Sequence, residues 1–228
     1  MGAGIAQVAA QAGLKVILLD TKQDAVDRGV GKIDKGLDRL VQKGRLTASD
    51  KAEILGRIQG GTELSALKEA DFVVEAIVES EAVKRSVLDE LERLLPEHAF
   101  LATNTSSISI TRLAAPTSRP DRFIGMHFMN PVPVMKLIEI IPGLATSDLT
   151  LQVTRSLAEK MGKVTVRSDD QPGFIVNRIL MPMINEAVVA LQEGLASPED
   201  IDQAMKLGTN QPMGPLELAD FIGLDTCL

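Results

Sequence analysis

The side chains best suited to acid–base chemistry are His127 and Glu139. His127 is one of two histidines and stands just beyond the apolar run Phe123-Ile-Gly-Met126. Glu139 lies inside Lys136-Leu-Ile-Glu-Ile-Ile141, with Leu137, Ile138 and Ile140 around it. A carboxylate in such a strand is costly to bury without a partner. An imidazole is a suitable one, because the carboxylate holds it in one tautomer and stabilises the cation formed when it takes a proton. A lone histidine also serves purely structural ends. His98, beside Pro96-Glu97 ahead of a strand, is read that way.

A second group of residues suits binding. Asp20 closes the apolar run Val16-Ile-Leu-Leu19. There a carboxylate can accept both ribose hydroxyls of an adenosine and repel a 2′-phosphate, which favours NAD over NADP; a solvated loop carboxylate is the plainer alternative. Gly2-Ala-Gly-Ile-Ala-Gln7 fails as a complete glycine fingerprint, because Gln7 occupies the third glycine's place. Taking Gly2 as the last glycine sets Asp20 at a suitable distance. The preceding strand and two glycines then lie outside the chain, and Met1 reads as an internal methionine of a longer protein. Asn104-Thr-Ser-Ser107 follows a strand at its carboxyl end, where open α/β sheets bind ligands, although such residues also simply form turns. Asn177 sits in a crowded apolar stretch where a buried amide needs partners, in a cleft or on neighbouring backbone.

Positioning these residues requires a sheet. Short apolar runs at 16–20, 71–77, 99–103, 123–126, 136–141 and 163–166 read as buried strands. Periodic stretches at 2–12, 22–43, 48–56, 80–95 and 147–161 read as helices, the first stopped by Gly13. The alternation predicts an α/β, doubly wound (Rossmann-type) parallel sheet over residues 1–168 that lacks its first strand. After Ser168 the pattern turns helical. Asp170-Gln-Pro172 is a plausible helix start, with a capping carboxylate and Pro in the first turn. Residues 174–191 are apolar on nearly every face, which predicts a helix buried on most sides. Helices at 198–207 and from Pro215 to the end complete an all-helical region, 169–228.

Bulk properties narrow the function classes. With 228 residues, 45% apolar content and 24% charge, the chain is of ordinary globular composition. The net charge of −7 argues against nucleic acid as the main partner. No apolar run approaches the roughly 20 residues of a membrane helix, and the start has no basic signal-peptide region. A single cysteine, Cys227, excludes a disulfide framework and a cysteine zinc site and fits a reducing cytoplasm. No metal site is read. Nine methionines without Trp or Tyr mean an aliphatic interior.

Six ordered blocks resemble the 3-hydroxyacyl-CoA dehydrogenase family, essentially from end to end. They are Gly2-Ala-Gly-Ile-Ala-Gln7, Glu75-Ala-Ile-Val-Glu79, Asn104-Thr-Ser-Ser107, and Gly125-Met-His-Phe-Met-Asn-Pro-Val-Pro133 with Met135-Lys-Leu-Ile-Glu139. Pro172-Gly-Phe-Ile-Val-Asn-Arg178 follows, then Pro212-Met-Gly-Pro-Leu-Glu-Leu-Ala-Asp220 with Gly223-Leu-Asp225. The last two are most similar to bacterial 3-hydroxybutyryl-CoA members. The resemblance implies reversible NAD-dependent oxidation of a short-chain L-3-hydroxyacyl-CoA to the 3-ketoacyl-CoA, as in β-oxidation, by a cytoplasmic homodimer without nucleic-acid or membrane partners.

The same resemblance implies roles. His127 would be the general base, oriented by Glu139, with Ser106 and Asn177 hydrogen-bonded to the reacting oxygen. Gly2 and Asp20 would hold the dinucleotide, Glu79 and Lys84 would line its site, and Asn104 and Asn130 would lie near the nicotinamide. Lys43, in the basic stretch Lys35 to Arg45, falls where the family contacts CoA, although such a stretch also suits a solvated helix face. The family begins with a further strand and two glycines, and it continues past Leu228 with helices of a dimer interface. The expectation is therefore a chain truncated at both ends. The alternatives are a non-catalytic paralogue, or a fragment of a longer or multifunctional β-oxidation protein.

Overall fold

A computed structural model describes residues 1–227. The chain forms two compact units divided between Pro172 and Gly173, close to the change of pattern after Ser168. The first contains α1 (Gly2–Gln11), β1 (Val16–Leu19), α2 (Gln23–Gln42), α3 (Ala48–Gly56), β2 (Ile58–Gly61), β3 (Phe72–Glu75) and α4 (Glu81–Leu94). It continues with β4 (Phe100–Thr103), α5 (Ile110–Ala114), β5 (Phe123–Phe128), β6 (Leu137–Pro142), α6 (Asp148–Lys160) and β7 (Val164–Arg167).

The strands make two ladders, β1-β2 and β3-β4-β5-β6-β7. Among the described residues no ladder joins β1 to β3, so the edges expected to flank a further strand do not close up on each other. Helix α1 covers both ladders. Its Ile5 and Val8 pack in one core cluster with Ala102, Ile124, Met126 and partly buried Phe72 and Val74. Ala6 and Ala10, on an adjacent face, pack with Ile33 and Leu37 of α2 and with Val16 and Leu18 of β1. Gly13 ends α1 at φ +83. The amides of Gly13 and Leu14 return to the carbonyls of Ala10 and Ala9, a Schellman arrangement that glycine permits.

Two departures from the predicted elements have simple causes. Strand β2, Ile58-Gln-Gly-Gly61, carries almost no apolar signal; it exists because it pairs in parallel with β1. Its Gly60 lies so close to α2 that a Cβ would come within 2.6 Å of Val26 Cγ1. Strands β5 and β6 pair antiparallel, the one such pair in the ladder. The connection 129–136 is too short for a parallel crossover, which takes about a dozen residues or more. His127 lies within β5 and not just beyond it, as the sequence suggested.

The second unit holds α7 (Val176–Gln192), α8 (Pro198–Gly208), α9 (Pro215–Ile222) and α10 (Leu224–Cys227). The expected final helix thus divides at Gly223, whose φ of +99 breaks it, and Leu228 lies outside the described residues. Asp202 of α8 caps α9, accepting from the amides of Leu216 at 2.8 Å and Glu217 at 2.9 Å. Helix α7 begins at Val176, later than Asp170, because Gly173 (φ +79) and Phe174 (φ +49) turn the chain first. Nor is α7 buried on most sides: of its own residues only Ile184 and Ala187 are buried, and Ile179 is 65% exposed. Its neighbours there, α8 and α9, do not surround it.

Candidate active site

His127 and Glu139 are directly opposed residues of the β5–β6 pairing. His127 Nδ1 and Glu139 Oε2 are 2.7 Å apart, with the residues 5% and 0% exposed. Every residue of β5 is buried. The dyad is therefore held in a dry, rigid strand pair, where a charge-assisted hydrogen bond is stronger than in water.

Next to it runs the loop after β4. The Phe128 amide donates to Asn104 Oδ1 at 2.8 Å, which ties the loop to the end of the histidine's own strand. Beyond Asn104, Glu79 gathers the loop onto one oxygen. Its Oε1 accepts from the amides of Ser106 (3.0 Å) and Ser107 (3.2 Å), from Ser107 Oγ (3.1 Å) and from Thr105 Oγ1. Burial pushes the Glu79 carboxyl up, but Thr105, Ser106, the Lys84 charge and Ser107 together outweigh it and hold the group below the ordinary carboxylate range. Lys84 is only 1% exposed. Its Nζ lies 2.8 and 3.0 Å from the oxygens of Glu75 and 3.3 Å from Glu79 Oε2.

Asn130 is exposed in the turn after β5. That turn is pinned by Lys163, whose buried Nζ donates to Met135 O at 2.8 Å and also to Val132 O. Burial pushes the Lys163 ammonium's pKa down. Gly4 of α1 sits against the same turn: a Cβ there would fall 2.9 Å from Val132 Cβ.

The residues expected to hold a dinucleotide lie at β1. Helix α1 runs into β1 through one tight turn, so its amino end and the carboxyl end of β1 share one side of the sheet. The space beside Gly2 opens on Leu18, 3.9 Å from an added Cβ. No side chain caps the start of α1, and Asp20 is exposed just past the strand. Bare amides at a helix start beside an exposed carboxylate at a parallel strand's end fit a pyrophosphate and a ribose diol. Lys43 is exposed at the end of α2. Asn177, half-buried, stands in the first turn of α7 in the other unit.

Of the supporting residues, Glu75 was not singled out from the sequence, and Asp170 was given a different role. Glu75 could have been found by the argument applied to Glu139, since it too is a carboxylate in an apolar strand. Asp170 does not start α7; its carboxylate accepts from the amides of Ile110 (2.9 Å) and Thr111 (2.8 Å) and from Ser109 Oγ (2.8 Å), capping α5. Its partners lie about sixty positions away, beyond any local reading. Among the described residues no cluster of side chains could hold a metal ion, and no helix is long and apolar enough to cross a membrane.

Residues 1–171 match the family described as "3-hydroxyacyl-CoA dehydrogenase, NAD binding domain", and residues 173–228 match "3-hydroxyacyl-CoA dehydrogenase, C-terminal domain". The chain is 54% identical to a probable 3-hydroxybutyryl-CoA dehydrogenase of Deinococcus radiodurans, covering 100% of this chain and 82% of that one. It is also 54% identical to a 3-hydroxybutyryl-CoA dehydrogenase of Bradyrhizobium diazoefficiens, over 100% and 78%. The crystal structure of an (S)-3-hydroxybutyryl-CoA dehydrogenase from Ralstonia eutropha superposes with a TM-score of 0.97 at 54% identity, over 100% of this chain and 80% of that one.

Proposed function

The chain belongs to the 3-hydroxyacyl-CoA dehydrogenase family, and from that premise we propose that it oxidises a short-chain L-3-hydroxyacyl-CoA reversibly to the 3-ketoacyl-CoA with NAD. The observation that carries this reading is the buried His127–Glu139 pair beside the Asn104–Ser107 loop. The short acyl chain and the L configuration are supported by the names of the relatives that act on 3-hydroxybutyryl-CoA.

His127 takes the 3-hydroxyl proton, and Glu139 sets its tautomer and stabilises the imidazolium. The bound NAD supplies the acceptor for the hydride that leaves C3. Ser106 donates to the substrate oxygen, and the resemblance gives Asn177 a hydrogen bond to the same atom; such fixed donors stabilise charge as it develops there. Asp20 holds the adenosine ribose, with Gly2 at the pyrophosphate. Asn104 and Asn130 lie near the nicotinamide, and Glu79 and Lys84 line the cofactor site. Lys43 meets the CoA. We place the enzyme in the cytoplasm as a homodimer; the apolar side chains that α7 and α9 expose, such as Ile179 and Phe221, support an assembly through the helical unit.

The test follows NADH consumption with acetoacetyl-CoA. Turnover that disappears in His127→Ala while NADH binding persists supports the reading. Full turnover in His127→Ala removes it.

A further inference from the structure

We propose that Lys163 is a positioning residue for this reaction: from the start of β7 its ammonium holds the turn between β5 and β6 in the conformation that brings Asn130 to the nicotinamide. The proposal rests on the reading of Asn130 as a residue beside the nicotinamide.

The turn, residues 129–136, joins the two strands of the dyad. Within it the amides of Val134 and Met135 both donate to Pro131 O, at 2.9 and 3.0 Å, which coils the chain into a single helical turn. Such a turn ends in carbonyls that have no partner within it. Lys163 Nζ takes two of them, donating to Met135 O at 2.8 Å and to Val132 O, and a lysine is well suited to carbonyls at a helical end.

Lys163 is a fixed point from which to hold the turn. Its own amide donates to Ala158 O of α6 at 3.0 Å. The next amide, of Val164, donates to Lys136 O at 2.8 Å, where the β6–β7 ladder begins. The turn is held from α1 as well. Val132, 2% exposed, packs in one core cluster with Ile5 and Val8, and Gly4 leaves no room for a Cβ against it. Val132 is thus clamped twice, by its side chain to α1 and by its carbonyl to Lys163. Asn130 lies just ahead of it, exposed and outside any strand or helix, so the clamp sets where it stands.

Stability alone does not call for a cation here. Lys163 is 8% exposed, and burial pushes its pKa down with no carboxylate to offset it. A charge so placed costs folding energy, whereas a neutral donor satisfies a carbonyl too. The ammonium offers three donors on one atom, which ties both carbonyls to a single point. Loss of that point lets the turn, and Asn130 with it, move while β5 and β6 keep their register and the dyad stays formed.

The test is a double-mutant cycle of the wild type, Lys163→Met, Asn130→Ala and Lys163→Met/Asn130→Ala. For each, kcat is measured with acetoacetyl-CoA and saturating NADH, together with the melting temperature and the amide resonances of Val132, Val134 and Met135. Lys163→Met should fold, with these amides shifted and kcat at least about tenfold lower. Because the two residues act in series, the double variant should be slower than Asn130→Ala by no more than about threefold. Wild-type kcat in Lys163→Met overturns the proposal, whatever its melting temperature. A double variant whose loss is the product of the two single losses overturns it too, since Lys163 would then act independently of Asn130. Unmoved amides in Lys163→Met overturn the anchoring itself. A Lys163→Met chain that does not fold also overturns the proposal, because the ammonium would then be a requirement of folding. Full activity in Asn130→Ala would strike at the reading of Asn130 instead, and the amide shifts would still decide whether Lys163 holds the turn.

Discussion

His127 and Glu139 are bound to each other by the register of two antiparallel strands, Met126 pairing with Ile140 on one side of them and Phe128 with Ile138 on the other. Side chains of directly opposed residues leave the same face of a sheet, and a slip of one residue would send them to opposite faces. The dyad is thus a property of the backbone ladder and not of a rotamer choice. Replacing His127 by Ala should lower kcat on the order of 10²–10⁴-fold, the range for a general base. Glu139→Gln should give a loss of similar size with little change in substrate KM, because the neutral amide neither fixes the tautomer nor stabilises the imidazolium. Steady-state kinetics check both. A Glu139→Gln enzyme with normal kcat would show that the carboxylate serves the fold alone.

Cofactor choice should reside in Asp20. Opposed charges of like sign about 4 Å apart cost from about 1 kcal/mol in water to about 4 kcal/mol near a protein surface. Asp20→Ser should therefore narrow the preference for NAD over NADP tenfold or more, mainly by raising kcat/KM for NADP. The two specificity constants, measured for wild type and variant, decide it. An unchanged ratio would move the discrimination to another residue.

Much of this was legible in the chain because its signals are local. The apolar runs mark β1, β3, β4, β5 and β6, and α2, α3 and α4 follow amphipathic periods closely. Glu139 announced itself as a carboxylate in an apolar strand. What escaped depends on contacts between distant segments: β2 forms only because β1 offers an edge, and the short turn fixes β6 antiparallel. The burial of α7 was overread for the same reason, since a helix apolar on nearly every face tells what it can contact but not what covers it. Glu75 and Lys84 were visible as residues, yet their pairing needed α4 folded over the end of β3.

Asp170 gives a stability prediction with a defined pH dependence. Burial pushes its carboxyl up, but hydrogen bonds from Thr111, Ile110 and Ser109 prevail and hold it below the ordinary carboxylate range. The folded protein thus releases this proton more readily than the unfolded chain. Stability from Asp170 is full above the unfolded pKa and is lost as pH falls through the lower folded one. Asp170→Asn should cost about 1–3 kcal/mol at neutral pH, where the variant leaves amides of α5 without a charged acceptor. The difference from wild type should shrink as pH drops below about 4. Urea unfolding at several pH values tests this, and a difference that grows in acid would refute the capping role.

Gly125 should be intolerant of even one methyl group, for a reason that reaches the dyad. It lies in β5 two residues before His127, with α5 on one side and β6 on the other. An added Cβ would stand 2.7 Å from Ile110 Cδ1, 2.9 Å from Ile110 Cγ1 and 2.9 Å from Ile141 Cβ. The Ile110 contacts involve a side chain that is wholly buried and has little room to turn away. The Ile141 contact involves a Cβ, which moves only with its strand. Overpacking of this kind costs about 1–3 kcal/mol, and here the relief must come from a shift of β5 or of α5. Moving β5 changes the His127–Glu139 distance, and moving α5 pulls on the loop that carries Ser106. Gly125→Ala should therefore lower both the urea midpoint and kcat. Reducing Ile110 to Val in the same chain removes the nearest atom and should recover part of each. If Gly125→Ala is destabilised but fully active, β5 and the loop tolerate displacement and the geometry of the dyad is less demanding than its register suggests.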